Sequence, residues 1–221
     1  MKLKFMYDKS EDVWCLSKRG KSSSNSNSQY PTKAYSELIS NKGEDPAEIQ
    51  VSEFIDTYIE QKNINIVEQI EKYQNEYNLI AREFHRRAEG AWGVSLDQDI
   101  KVLLTVNERC PYSIEENLFF LTITTDSCLK LTMHELWHFY TWKKFGEIEQ
   151  KRLGAEKYNE IKEALTVLLN VVYRDLLPEG VLDTGYPQHK DLRRDILRLW
   201  KIKPDIAFVW KNITSYDVVS G

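Results

Sequence analysis

The sequence has no apolar run of the roughly 20 residues that a membrane-spanning helix requires. Its opening residues, Met1-Lys2-Leu3-Lys4-Phe5-Met6-Tyr7-Asp8, are broken by charge too early for a secretory signal. Cysteine is scarce: Cys15, Cys110 and Cys128 are three in number and unrelated in spacing, which excludes a disulfide framework and a C-x-x-C zinc site. A basic excess is also missing, since the net charge of -4 runs against a general nucleic-acid binder. No internal repeat is visible. Asn212-Ile213-Thr214 has the form of a glycosylation sequon, but without a signal it reads as coincidence. These absences together predict a soluble cytoplasmic protein with no membrane and no nucleic-acid partner.

What is present is enough apolar residue, 42% of 221, for one good-sized core or two closely packed lobes. Residues 2–7 and 13–17 read as two strands of a hairpin around Lys9-Ser10-Glu11-Asp12. Residues 21–29 are a polar, serine-rich tract that reads as a flexible segment. A short helix is expected from Thr32 to Ser40, and another from the start signal Asp45-Pro46-Ala47-Glu48. Asn65 can cap a third, whose stripe is Ile66, Ile70, Tyr73, Tyr77, Ile80 and Phe84. His85, among Arg82, Arg86 and Arg87, reads as part of a solvated face.

Gly90-Ala91-Trp92-Gly93 then breaks the helical region. Residues 100–106 and 117–123 are the clearest strands, and the short link between them suggests antiparallel pairing. Helices are expected over 127–145, 155–177, from Pro187, and over 204–215. The expected fold is therefore α+β, mainly helical with a small antiparallel sheet. Residues 1–95 would form an N-terminal hairpin and helical region and 96–221 a catalytic region, packed as one unit.

The chemistry is concentrated in Thr132-Met133-His134-Glu135-Leu136-Trp137-His138-Phe139. On a helix, side chains four apart lie nearly one above the other, so His134 and His138 can converge on one metal ion. Glu135 then projects beside them, where a carboxylate can accept a proton from a water held by that ion. Leu136, Trp137 and Phe139 imply that the helix is buried, and buried imidazoles need partners. A catalytic zinc needs a third protein ligand with a fourth position left open. His189 and the carboxylates of the 155–177 segment are the candidates. Periodicity alone slightly favours Glu160 over Glu163.

His134-Glu135-x-x-His138 followed by a glutamate on a second helix resembles the gluzincin class of zinc metallopeptidases. In that class the liganding glutamate is often followed by Ala, an apolar residue and Ser or Thr. Glu163-Ala164-Leu165-Thr166 fits this pattern and Glu160-Ile161-Lys162-Glu163 does not, so the resemblance implies Glu163, 25 residues beyond His138. It covers about residues 115–175 and implies a zincin-like pair of active-site helices. The run 162–170, with the later Asp183-x-Gly185-Tyr186-Pro187-x-His189, also resembles an uncharacterised set of bacterial metallopeptidases. Two positions depart from the gluzincin pattern. Lys162 replaces the usual Asn, and Val167 replaces the Asp that orients a liganding histidine. That orienting role would pass to Asp126, Asn170 or a backbone carbonyl. The metzincin pattern is excluded by Thr141 and Lys144 at its glycine and third-histidine positions.

The resemblance implies a zinc-dependent peptidase acting on a peptide or protein substrate, with Glu135 as general base and Tyr186 or His189 as the second donor to the oxyanion. His189 reads equally well as a surface histidine at a helix start, and Tyr186 reads first as a packing residue of its turn. The strand 117–123 resembles the zincin edge strand that pairs with substrate, or equally an interior strand. The charged run from Lys190 to Lys201 reads first as a solvated helix face. The alternative functions are a non-peptidase zinc hydrolase and a regulatory or toxin-like zinc protein that acts on one partner.

Overall fold

The structure is a computed structural model that describes residues 1–21 and 30–215. Of the polar tract expected to be flexible, all but Lys21 lies outside the described residues. The chain divides into two compact units. One comprises Met1–Asn78 with Asp97–Leu131, the other Leu79–Leu96 with the chain from Thr132 onward. The chain thus crosses between units more than once, where the sequence suggested a single boundary after residue 95.

The first unit is built on a four-stranded sheet of order β1-β2-β4-β3, from β1 (Leu3–Met6), β2 (Ile100–Thr105), β3 (Tyr112–Ser113) and β4 (Leu118–Thr122). The fold is α+β and mainly helical, as expected, but the sheet is mixed. β1 pairs with β2, and β2 with β4, in parallel; only the two-residue β3 runs antiparallel, with Tyr112 opposite Phe119. A parallel pair needs a crossover of about a dozen residues, and the stretch from Val106 to Asn117, which includes β3, supplies one. The reason for parallel pairing is in the side chains. Val102, Leu103, Leu104 and Thr105 are all buried, as are Phe119, Phe120, Leu121 and Thr122, so both faces of these strands are covered. β4 is therefore interior where β2 and β3 flank it, not an open edge along its length.

The expected hairpin is absent. Residues 13–17 belong to α1 (Lys9–Arg19), not to a strand. Asp8 caps this helix, its carboxylate accepting from Ser10 N at 2.9 Å and Glu11 N at 3.3 Å. Cys15 then packs with Leu103 and Phe120 on the sheet, and Trp14 stacks on Phe120. α2 (Lys33–Lys42) starts on Thr32 as expected. α3 (Glu48–Gln61) starts two residues later than its Asp-Pro signal implied, because Gln50 Oε1 accepts from Ala47 N at 2.8 Å. Asp45 instead takes a positive φ of 52° and pairs with Lys21.

α4 (Ile66–Trp92) shows the expected stripe and runs through Gly90 to Trp92, ending at Gly93 with a φ of +65°. In the second unit its C-terminal part buries Phe84, Ala88 and Trp92. α5 (Cys128–Leu153) carries the H-E-x-x-H motif and is interrupted at Gly146, the residue expected to close it. The segment expected as one helix over 155–177 is broken into pieces. α6 (Ala155–Leu165) tightens into a 3-10 turn over Thr166–Leu168, then α7 (Leu169–Val172) and a second 3-10 turn over Arg174–Leu176 follow. α8 (Lys190–Ile202) follows a 3-10 turn opened by Pro187, and α9 (Ile206–Ser215) ends the described chain. Among the described residues no helix is long and apolar enough to cross a membrane.

Candidate metal centre

All the side chains of the centre lie in the second unit. From Thr132 to Thr141 every residue of α5 except His134 is buried, so the helix is fixed in rotation by packing on all sides. Trp137 meets Trp92 and Tyr173 edge to face, with centroids 5.0 Å and 5.6 Å away. That anchoring sets the direction of the residues on either side of it. His134 and His138 stand one turn apart, and their Nε2 atoms are 3.1 Å from each other.

Glu163 reaches the same point from the last turn of α6. Its Oε1 lies 3.3 Å from His138 Nε2 and its Oε2 3.4 Å from His134 Nε2. The three residues offer ligand atoms that all lie within 4.8 Å of one another. Bonds of about 2.0–2.1 Å to a tetrahedral zinc separate adjacent ligand atoms by about 3.3 Å. The Nε2–Nε2 separation and the approach of each Glu163 oxygen to one imidazole are close to that edge length. Glu160, three residues earlier, is exposed and outside the group. The helix ends just beyond Glu163, where Thr166 Oγ1 lies 2.8 Å from the Glu163 carbonyl and the chain tightens into the 3-10 turn.

The orienting partner of His134 is Asp183, which the sequence marked only as part of the run 183–189 and not for this role. Its Oδ2 is 2.7 Å from His134 Nδ1, which directs Nε2 of that ring toward Glu163 and His138. Its Oδ1 accepts from Thr166 Oγ1 and from Arg193 Nη2, each at 2.9 Å. Arg193 also donates to Thr166 Oγ1 at 2.9 Å and to the Asp183 carbonyl at 2.6 Å, and it is buried. Asn170, a sequence candidate for the orienting role, acts one step back: it clamps the Asp183 backbone, donating at 2.7 Å and accepting at 2.8 Å. Asp126, the other candidate, belongs to the first unit.

No family model, no curated protein and no solved structure matches this chain. The chemistry of the centre therefore rests on its own geometry.

That geometry suits a divalent cation. Burial, with the Lys162 charge nearby, pushes the His138 imidazole down to about 3 and keeps it neutral, as a ligand must be. Burial alone would also lower His134, but its hydrogen bonds to Asp183 and Glu163 outweigh that and raise it to about 10. A proton on this ring is the charge that a metal ion would replace. Burial works to raise Glu163, yet contact with His138, His134 and Lys162 holds it well below the usual carboxylate range. Asp183 is likewise lowered, against burial, by His134, Arg193 and Thr166. Lys162, noted in the sequence only as a departure, is buried with Nζ 3.0 Å from Glu163 Oε1.

Glu135 is buried, and its Oε2 has no hydrogen-bond partner among the described residues. Burial pushes its carboxyl up to about 8, against the pull of His134 and with the Glu163 charge adding to the rise. A buried carboxyl oxygen without a partner is costly unless something bound occupies it. His189 does not offer an exposed ring. It is 4% exposed, packed in the 3-10 turn before α8, and its Nδ1 also lacks a hydrogen-bond partner among the described residues. Tyr186, expected to pack within its turn, is 39% exposed and stands edge to face with His189 at 5.7 Å. His85, expected on a solvated face, is partly buried with Nδ1 2.8 Å from Tyr140 Oη. Tyr140, its partner on α5, lies 55 residues away in sequence.

Proposed function

We propose that this protein is a zinc-dependent peptidase, with His134, His138 and Glu163 as the metal ligands and Glu135 as general base. The observation that supports it best is the convergence of the two imidazole Nε2 atoms, 3.1 Å apart, on the Glu163 carboxylate, whose two oxygens lie 3.3 and 3.4 Å from them, beside a buried carboxyl oxygen of Glu135 without a partner among the described residues. A bound zinc would supply Lewis-acid polarisation of a carbonyl and a more acidic water.

The remaining work falls to the chain. Asp183, steadied by Thr166 and Arg193, keeps His134 in the tautomer with Nδ1 protonated. With a cation bound beside it to offset its burial, Glu135 would be ionised, would take the proton of the attacking water at Oε2 and would return it to the departing amine nitrogen. His189, buried and lacking a hydrogen-bond partner at Nδ1 among the described residues, would be the side chain that donates to the oxyanion. The exposed Tyr186 beside it fits contact with substrate better than proton transfer.

The test is hydrolysis of a mixed peptide pool, followed by mass spectrometry, for wild type and Glu135→Gln. Expected is cleavage by wild type and a loss of roughly 100- to 10,000-fold in the variant, with its metal content unchanged. Cleavage by the variant at the wild-type rate would refute the role of Glu135. Turnover of an ester or a non-peptide amide, with no peptide cut, would transfer the centre to another zinc hydrolase.

A further inference from the structure

The run Lys190–Lys201 is more than a solvated face. Taken at 100° per residue, Lys190, Arg194, Leu197, Arg198 and Lys201 fall within about a quarter of the circumference of α8. Ile196 and Leu199 are buried, turned away from that arc, while Asp191 and Asp195 lie along its flank. The loop Thr184–Pro187 rises beside the arc, and the two enclose a groove of about 740 Å³ with Tyr186 and Leu197 as its apolar wall. Among the described residues no carboxylate lines it. Arg193 does, and the same guanidinium holds Asp183, so the groove adjoins the structure that orients His134.

We propose that this groove binds an extended acidic peptide segment and so makes acidic polypeptides the preferred substrates of the centre. The substrate role rests on the peptidase reading; the charge and shape of the groove do not. Lys190, Arg194 and Arg198 are four residues apart, so they repeat about every 6 Å along the helix. Same-side residues of an extended peptide repeat about every 6.6–6.8 Å. Carboxylates at alternate peptide positions can therefore meet successive cations. From Lys190 to Lys201 the arc is about 16 Å long, which fits about five extended residues. Arg194 and Arg198 have intrahelical partners, Asp191 at 2.7 Å and Asp195 at 3.7 Å. All four side chains of these pairs are exposed, so exchanging them for a ligand carboxylate costs little. A single-stranded nucleic acid fits less well, because Tyr186 is the one aromatic residue of the lining and bases need successive stacking platforms.

The experiment uses the full chain carrying Glu135→Gln, so that binding is read without turnover. Three fluorescein-labelled probes are titrated by anisotropy at low and high salt: a ten-residue Glu-Ser repeat, its Gln-Ser counterpart, and a ten-nucleotide oligothymidylate. Expected is binding of the Glu-Ser probe about tenfold or more tighter than the Gln-Ser probe, weakening as salt rises. Arg194→Gln/Arg198→Gln should abolish that preference while zinc content and far-UV circular dichroism stay at the wild-type level; Lys201→Gln should reduce it. Equal affinity for the two peptides overturns the proposal, as does a preference that survives the double substitution. Tighter binding of the oligothymidylate would assign the groove to nucleic acid and overturn it too. A protein that binds the acidic probe but cuts no peptide would refute only the peptidase reading; one that cuts peptides without acidic preference would refute only this proposal.

Discussion

Replacing Asp183 by asparagine removes one charge and almost no volume, yet it should damage both stability and metal affinity. Oδ2 accepts from His134 while Oδ1 accepts from Thr166 and Arg193, so both oxygens face donors. A carboxamide has one acceptor and one donor. In one orientation its NH2 group opposes His134 Nδ1–H and favours the tautomer with the proton on Nε2, the atom that must be bare to bind an ion. In the other it opposes the Thr166 hydroxyl and the Arg193 guanidinium.

Either way the buried Arg193 loses the carboxylate it pairs with, and breaking such a pair costs about 3–5 kcal/mol. Losing the orienting partner of a metal-bound histidine lowers affinity roughly 10- to 100-fold, about 1.4–2.7 kcal/mol. Urea denaturation in the presence of a chelator reads the first effect, and competition for zinc against a chelating dye reads the second. Asp183→Glu keeps the charge and separates electrostatics from length: it should restore much of the stability and less of the affinity. Wild-type zinc affinity in Asp183→Asn, with an unchanged denaturation midpoint, would refute the role assigned to this residue.

Two further outcomes are expected. Lys162 places a buried positive charge 3.0 Å from Oε1 of Glu163, the proposed third ligand, and such a charge opposes a divalent ion. Lys162→Met should tighten zinc binding by about tenfold or more in the same competition assay; weaker binding would mean that Lys162 chiefly positions Glu163. In the first unit, burial raises Asp12 from 3.8 to about 6, although Thr105 Oγ1 and Val106 N donate to its Oδ1. The folded acid is harder to ionise than the unfolded one, so stability is highest below pH 4 for this group and falls as pH rises toward 6. The wild type should lose up to about 3 kcal/mol relative to Asp12→Asn between pH 4 and pH 7, a difference that a pH series of urea melts measures.

The local part of the centre was legible because its spacing is local. Four residues separate His134 from His138, and the residues after Glu163 pointed to it where periodicity preferred Glu160, which the structure leaves outside the group. Asp183 was not legible, since it lies 49 residues from His134 in a loop without periodicity. A sign of it was present in Arg193, which lies three residues before Ile196 and seven before Trp200, on the apolar side of α8. A charged residue in such a position implies a buried counter-ion. The strands were found but paired wrongly. Their unbroken apolar runs were the mark of coverage on both faces, which outweighs the shortness of the link between them. The hairpin failed for a different reason: Val13, Trp14 and Cys15 look β-prone, but Asp8 with Glu11 three residues on marks the start of a helix.

The most direct measurement is zinc per chain, by mass spectrometry after dialysis against buffer with trace zinc, for wild type, Glu163→Ala, Glu160→Ala and Glu135→Gln. One equivalent is expected in wild type, Glu160→Ala and Glu135→Gln, and little or none in Glu163→Ala. No zinc in the wild type, or an undiminished equivalent after loss of Glu163, would contradict a centre formed by His134, His138 and Glu163.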